Sequence, residues 1–277
     1  MEDIINSRPR KLARIYSQVS TKLKTIFITG GSTGIGWALA KQYAQAGYAV
    51  GICARDPNKL PTNFKTDYPT ISFYQVDVTD KLTLKTATND FITQHGGRLD
   101  IMLANAGRST GSKQQMPDFE TVENIIEINL RGVTNAFAIA TELFLKQTGS
   151  IKGHLVAIGS VAGFVGLPGA AAYSASKAAV LTLCESLAID FPKHGINVTA
   201  IAPGFIDTPL TQQNDHKMPF IMSADKAARL IKGAIDKCKP LYIFPLRMRL
   251  FITFAALLPR SWYRAIMRLK AFNYSID

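Results

Sequence analysis

Thr29-Gly30-Gly31-Ser32-Thr33-Gly34-Ile35-Gly36 is the stretch that decides how this chain is read. It follows a β-branched run at 25–29 and leads into an amphipathic segment at 36–46. Glycines at these places permit a tight turn, let backbone approach a pyrophosphate, and let a helix pack close on the strand before it. The free N–H groups of the helix N-terminus then face the phosphates. A glycine triplet alone says little, because a glycine-rich turn without a ligand looks the same. Its strand–turn–helix setting makes it a candidate dinucleotide loop. Gly30, Ser32, Thr33, Gly34, Ile35 and Gly36 are its candidate contacts.

Outward from the loop, short apolar runs alternate with helical stretches. Strands are predicted at 25–29, 49–54, 71–76, 99–104, 154–159, 197–201 and 241–244, and helices at 36–46, 82–94, 122–146, 174–191 and 224–237. Strands that are apolar nearly throughout belong to a parallel sheet covered on both faces. Seven of them in one unbroken series predict a single doubly wound α/β domain over residues 25–244, with helices on both faces. A basic extension at 1–24 precedes it, and a basic, apolar helical extension at 245–277 follows.

The chain has 277 residues, 47% hydrophobic and 19% charged, enough for a sizeable core and too apolar for wholesale disorder. Cys53, Cys184 and Cys238 are odd in number and far apart, and no secretory apolar run opens the sequence. Unpaired thiols in a reducing, cytoplasmic compartment are expected. The four histidines have no ligand spacing, so no metal is expected. The net charge of +12 is unevenly placed: residues 25–236 carry 18 basic and 17 acidic groups, whereas 237–277 carry eight basic and one acidic. A nucleic-acid enzyme would more often put its positive charge around the site, and no nucleic-acid motif is present.

The TGxxxGxG spacing of the loop, taken with signals downstream, resembles the short-chain dehydrogenase/reductase family, a Rossmann-like fold. The resemblance runs from about Thr25 to Phe244 and rests on Asp77-Val78, Ala104-Asn105-Ala106-Gly107, Asn129, Ser160, Tyr173-Ser174-Ala175-Ser176-Lys177, and Pro203-Gly204 leading to Thr208. One position departs: the family often has Asn where this chain has Ala104. The resemblance implies a catalytic set of Asn129, Ser160, Tyr173 and Lys177. Tyr173 would be the acid/base, Ser160 would polarise the substrate oxygen, Lys177 would bond the nicotinamide ribose, and Asn129 would anchor a water in a proton relay. It further implies that Asp77 meets the adenine amine, that Val78, Asn105, Ala106 and Gly107 wall the cofactor site, and that Pro203, Gly204 and Thr208 meet the carboxamide. A homodimer or homotetramer built on the helices holding Asn129 and Tyr173 is implied too.

The chemistry has its own logic. Reducing a ketone needs a proton donor at the oxygen as hydride reaches the carbon, and a phenol of ordinary pKa near 10 is a sluggish base at neutrality. Tyr173 and Lys177 are four apart on a predicted helix and share a face. The ammonium is expected to stabilise the phenolate and lower that pKa.

An acidic residue ending the second strand would bind ribose hydroxyls and repel a 2′-phosphate. Here Ala54 occupies that place, Arg55 follows it, and Asp56 is expected to start the next turn ahead of Pro57. A guanidinium pairs phosphate through a planar fork, so NADP(H) is expected over NAD(H).

Beyond Phe244 the sequence turns apolar and studded with arginine. The uncharged run 250–259 is too short to span a bilayer. Ser261 is expected to cap a helix in which Trp262, Ile266 and Leu269 line one side, the composition of an interfacial helix. Peripheral membrane contact and protein packing, over the substrate pocket or between subunits, both fit. The basic residues Arg8, Arg10, Lys11, Arg14, Lys22 and Lys24 fit a surface-binding helix, a flexible arm or an upstream start. The reading is an NADP(H)-dependent oxidoreductase acting on a lipophilic carbonyl or secondary alcohol, the segment 205–223 closing over the substrate. The alternative is a catalytically silent NADP-binding sensor or scaffold.

Overall fold

The computed structural model describes residues 23–109, 118–213 and 218–269. Strand β1 (Thr25–Thr29) is buried along its whole length. Its side chains alternate between two cores: Phe27 enters one, Ile26 and Ile28 the other. Both faces of the strand are covered, so the run has to be apolar or pair its hydroxyls.

The other strands are β2 (Ala49–Ala54), β3 (Ile71–Gln75), β4 (Ile101–Ala104), β5 (Gly153–Ile158), β6 (Ile196–Pro203), the two-residue β7 (Ile206–Asp207) and β8 (Met222–Ser223), and β9 (Leu241–Phe244). Seven form one sheet in the order β3-β2-β1-β4-β5-β6-β9, with every pairing parallel. The helices of eight residues or more are α1 (Gly34–Gln45), α2 (Lys81–Gln94), α3 (Phe119–Ile126), α4 (Gly132–Lys146), α5 (Ala171–Asp190), α6 (Ala224–Asp236), α7 (Leu246–Leu257) and α8 (Arg260–Met267). Helices α2, α4 and α5 cover one face through Phe91, Phe137, Phe144 and Val180. The other face takes α1 and α6 through Leu39, Tyr43, Ile231 and Ile235. Helix starts follow local chemistry: Asp80 accepts from Leu82 N and Thr83 N, and Asp118 from Glu120 N and Thr121 N, supplying partners for N–H groups that lack one in the helix.

Three differences from the periodicity have physical causes. The helix expected at 122–146 is two helices parted by a π turn, Glu127–Arg131, which carries the fully buried Asn129. Strand β4 begins at Ile101 because the Gln147 amide pairs with the backbone of Leu99. Strand β6 extends to Pro203, which pairs in register with Phe244.

Chain order reverses between β1 and β4. Strands β1, β2 and β3 progress to one side, and β4, β5, β6 and β9 to the other. Such a reversal splays the loops at the carboxyl ends and opens a crevice there.

Helices α7 and α8 make a third, smaller core. Met248, Ile252, Ala255 and Tyr263 pack on Val161 and Val165, with Phe205 alongside, and Tyr263 Oη donates to Gly166 O at 2.6 Å. One expectation for this end is corrected. Pro259, not Ser261, holds the cap position of α8, so Ser261 lies in the first turn. The side turned to the body carries Tyr263 and Met267, and the expected apolar line of Trp262, Ile266 and Leu269 faces outward. The basic residues from Arg8 to Lys22 lie outside the described residues. No described helix is long and apolar enough to cross a membrane.

Candidate active site

A cleft of about 560 Å³ opens over the carboxyl ends of the strands. Its floor is the loop after β1. Gly30 has φ +66, and a Cβ there would sit 2.7 Å from Ala106 Cα, so both the dihedral and the spacing require glycine. A Cβ at Gly36 would lie 2.2 Å from Gly30 O, so Gly36 sets how closely α1 packs on the loop and does not itself line the cleft. Ser32, Thr33, Gly34 and Ile35 do line it. Thr33 caps α1 in extended conformation without spending its side chain on the helix.

The end of β2 contributes Ala54 and Arg55, with Arg55 Nη1 3.9 Å from Asp77 Oδ2. Asp56 also borders the cleft, but its carboxylate accepts from Asn58 N and caps the turn Pro57–Lys59. That turn brings in a second cation, Lys59, which the sequence reading did not include. Asp77 and Val78 follow β3. One oxygen of Asp77 accepts from Thr79 N and Thr79 Oγ1, which leaves the other toward Arg55. Asn105, Ala106 and Gly107 follow β4. Asn105 Nδ2 donates to Thr29 O and Gly30 O, while Thr29 Oγ1 accepts from the backbone N–H groups of Asn105 and Ala106. Thr29, also absent from the sequence-predicted set, thus ties the loop after β4 to the end of β1.

Ser160, Tyr173 and Lys177 form the facing wall. Ser160 Oγ accepts from Ala162 N at 3.1 Å, which leaves its O–H to donate. Burial raises the pKa of Tyr173, and the hydrogen bond from Ser160 opposes that rise. Lys177 Nζ donates to Ile158 O at 2.8 Å and stands 5.7 Å from the centre of the Tyr173 ring. Burial pushes its pKa down to about 8. The expected lowering of the tyrosine by the ammonium is therefore corrected: desolvation outweighs other effects on both groups, and Ser160 supplies the opposing pull.

Asn129 does not line the cleft. Its Oδ1 accepts from Arg108 N, and its Nδ2 donates to Arg108 O and to Ser176 Oγ, which in turn donates to Tyr173 O. This chain joins the π turn to the first turn of α5. Ser176 was visible in the sequence only as a small residue between Tyr173 and Lys177. A Cβ at Gly107 would sit 3.2 Å from Asn129 Oδ1 and 3.5 Å from Lys177 Nζ, so glycine lets these two polar groups approach one side of the cleft.

Pro203, Gly204 and Thr208 border the remaining side, with Pro209, Leu210 and Thr211. A Cβ at Gly34, where φ is +55, would meet Thr208 Cγ2 at 3.0 Å, so this segment closes directly onto the glycine loop. The pairing of β7 with β8 ties the two ends of the segment between them. Residues 214–217 of the expected substrate loop lie outside the described residues. Cys53 also reaches the cleft, but burial raises its thiol to about 12 and keeps it protonated.

A doubly wound sheet that opens a glycine-floored cleft at its reversal point is the architecture of a dinucleotide-dependent enzyme. The family model described as short chain dehydrogenase matches residues 24–219. An uncharacterized oxidoreductase of Myxococcus xanthus is 33% identical over 248 residues, covering 88% of this chain and 96% of that protein. The 3-oxoacyl-[acyl-carrier-protein] reductase FabG of Thermotoga maritima is 31% identical over 197 residues, 70% of this chain and 78% of the reductase. Among solved structures, ElxO with NADP bound superposes with a TM-score of 0.69 at 27% identity, over 80% of this chain and 96% of that one. This chain belongs to the short-chain dehydrogenase family of NAD(P)-dependent oxidoreductases.

Proposed function

We propose that this protein interconverts a carbonyl and a secondary alcohol on a lipophilic substrate, with NADP(H) in preference to NAD(H). The carrying observation is that Ser160, Tyr173 and Lys177 share one wall of a cleft whose floor is the Gly30–Gly36 turn. The residues present fit a dinucleotide: glycines let the turn pack close on its neighbours while Gly30, Ser32, Thr33, Gly34 and Ile35 line the cleft, and two cations stand beyond β2. The helix N-terminus at Gly34 would hold the pyrophosphate. Arg55 and Lys59 would hold a 2′-phosphate, and Asp77 and Val78 the adenine side. Asn105, Ala106 and Gly107 would wall the nicotinamide half, with Pro203, Gly204 and Thr208 opposite. The NADP carried by ElxO supports the same choice here.

Bound NADPH supplies the hydride. Ser160, its Oγ accepting from Ala162 N, donates its single hydroxyl proton to the substrate oxygen and so holds the carbonyl beside the phenol. Tyr173, whose pKa burial raises, stays protonated through neutrality, and that is the state carbonyl reduction consumes. Lys177, held on the same wall by its bond to Ile158 O, would bond the nicotinamide ribose. Asn129 fixes the first turn of α5 through Ser176, so the acid does not drift. The apolar residues Ile206, Pro209 and Leu210 on the cleft wall support a lipophilic substrate. Exposed Phe119 on α3 and Ile189 on α5 support association of two copies along those helices as a homodimer or homotetramer, and the three free cysteines fit the cytoplasm.

Tyr173→Phe tests the assignment. Binding of NADPH, read by fluorescence, should be retained within a factor of about three, while turnover of a ketone panel should fall by at least the roughly 10²–10⁴-fold that proton transfer contributes. Turnover near the wild-type rate would remove Tyr173 from the mechanism.

A further inference from the structure

We propose that α7 and α8 form a docking face for an anionic lipid surface, set beside the mouth of the cleft. A short helix on a water-exposed surface normally turns one apolar face inward and a polar face outward. Helix α7 is apolar on both. Met248, Ile252 and Ala255 are buried against the body, yet Leu246, Leu250, Phe251, Phe254 and Leu257 are between 54% and 78% exposed. On α8, Trp262 is 66% exposed. No described residue covers this outer face.

Charge decides what would. Between residues 245 and 269 stand Arg247, Arg249, Arg260, Arg264 and Arg268, with no Asp or Glu. All five are exposed, and none pairs with a described carboxylate. A second copy meeting this face about a twofold axis would set arginine against arginine, since a twofold contact joins a patch to itself. A bilayer containing anionic lipid offers hydrocarbon for Leu250 and Phe254 and headgroup charge for the guanidinium groups together, and tryptophan suits the boundary between them. The helices hold 12 and 8 residues, too few to cross, so they lie along the surface.

The face is coupled to the cleft. The Met248 side chain comes within 3.3 Å of where a Cβ on Gly204 would stand, and Gly204 lines the cleft. Arg247 lies over the ring of Phe220 at 5.4 Å, joining α7 to the far end of the substrate segment. Resting on the carbonyl–alcohol reading above, this geometry points to a substrate that reaches Tyr173 from the lipid phase.

The test uses the full chain with sucrose-loaded vesicles of phosphatidylcholine, with or without about one third phosphatidylglycerol. Co-sedimentation is expected with the anionic vesicles only, weakening as salt rises. Phe254→Glu together with Leu250→Glu should abolish it. Arg264→Glu should reduce partitioning by at least about fivefold, the loss expected for one basic residue near a charged surface. Neither variant touches the cleft, so turnover of a short water-soluble ketone with NADPH should stay within twofold. Equal recovery on both vesicle types, or none on either, overturns the docking face. So does a fall in oligomeric state by light scattering in the Phe254→Glu, Leu250→Glu variant, which would make the face a subunit interface. Anionic vesicle binding without turnover of any carbonyl would instead leave the docking face standing and remove the catalytic reading.

Discussion

At the dinucleotide end of the cleft the walls are backbone, and at the substrate end they are side chains. Gly30, Gly34 and Gly36 each sit where a single added carbon would strike a neighbour at 3.0 Å or less. Across from them, Pro203, Gly204 and residues 208–211 border the cleft, backed by the side-chain core of Val161, Val165, Met248 and Ile252. A pyrophosphate is the same in every dinucleotide, so the surface that meets it can be fixed atom by atom in main chain. A substrate pocket assembled from side chains on loops and a terminal helix changes shape with each substitution. The first end has one tight solution, and the second has many looser ones.

Breaking the tight end should have the largest effect. Gly36→Ala brings a Cβ to 2.2 Å from Gly30 O and 2.6 Å from Asn105 Nδ2. The first contact is backbone and cannot rotate away, so overpacking should cost about 3 kcal/mol. Thermal unfolding should drop by several degrees and NADPH binding should be lost, whereas Gly233→Ala in α6, where nothing lies within 4 Å, should stabilise by about 0.5–1 kcal/mol. Equal tolerance of the two substitutions would mean that the loop is not built this tightly.

Next comes the outer edge of the dinucleotide end, where the wall is side chain after all. Arg55→Ala removes a guanidinium from the cleft. A charge-assisted bond to a phosphate is worth about 1.5–3 kcal/mol, so KM for NADPH should rise roughly 10- to 100-fold while KM for NADH stays put. Lys59→Ala should do the same more weakly, because an ammonium has no fork to match the phosphate. If both cofactors weaken alike, Arg55 holds the loop and not the 2′-phosphate.

The seam between the two ends carries a pH signature. Burial sets Lys177 near pH 8, below its ordinary 10.5. Above about pH 8 the folded chain loses this ammonium, and the reduction rate should decline. Over the same window the unfolded chain still holds the proton, so the contribution of this group to stability rises with pH. Falling rate with no loss of fold by circular dichroism is therefore the expected pair. Lys177→Arg, which keeps its charge, should remove the alkaline decline even where it lowers the maximum. A decline that persists unchanged in that variant would assign it to another group.

The same contrast explains what could be read in the sequence. The Thr25–Thr29 strand, the glycine turn and the Tyr173–Lys177 spacing are local patterns; the strand forms as expected, and Gly30, Gly34, Tyr173 and Lys177 border one cleft. Arg55 was legible because it follows the last residue of a strand. Lys59 was not, because a turn capped by Asp56 carries it back to the cleft. Thr29 and Ser176 act through bonds to residues 76 positions and 47 positions away, and no spacing rule reports those. Asn129 was found by resemblance, yet the π turn that buries it left no mark in the apolar periodicity. The apolar line of α8 was legible, but its facing was not. Trp262, Ile266 and Leu269 form an apolar line, but which line faces the body was settled by Tyr263 and a carbonyl 97 residues earlier.

That bond gives the smallest and most local test of the looser end. Tyr263→Phe keeps the ring in its apolar seat and removes only the hydroxyl that donates to Gly166 O. Gly166 then loses a partner at the surface of the protein, where water can replace it, so the cost should be about 1 kcal/mol or a little less. The same change frees the 161–167 loop that follows Ser160. A substrate end held by many weak contacts should respond in KM for a bulky ketone, by about two- to fivefold, with kcat for a small ketone unchanged. A matching loss of kcat for both would show that α8 reaches past the loop to the Ser160 hydroxyl itself, and that the substrate end is as tightly fixed as the glycine turn.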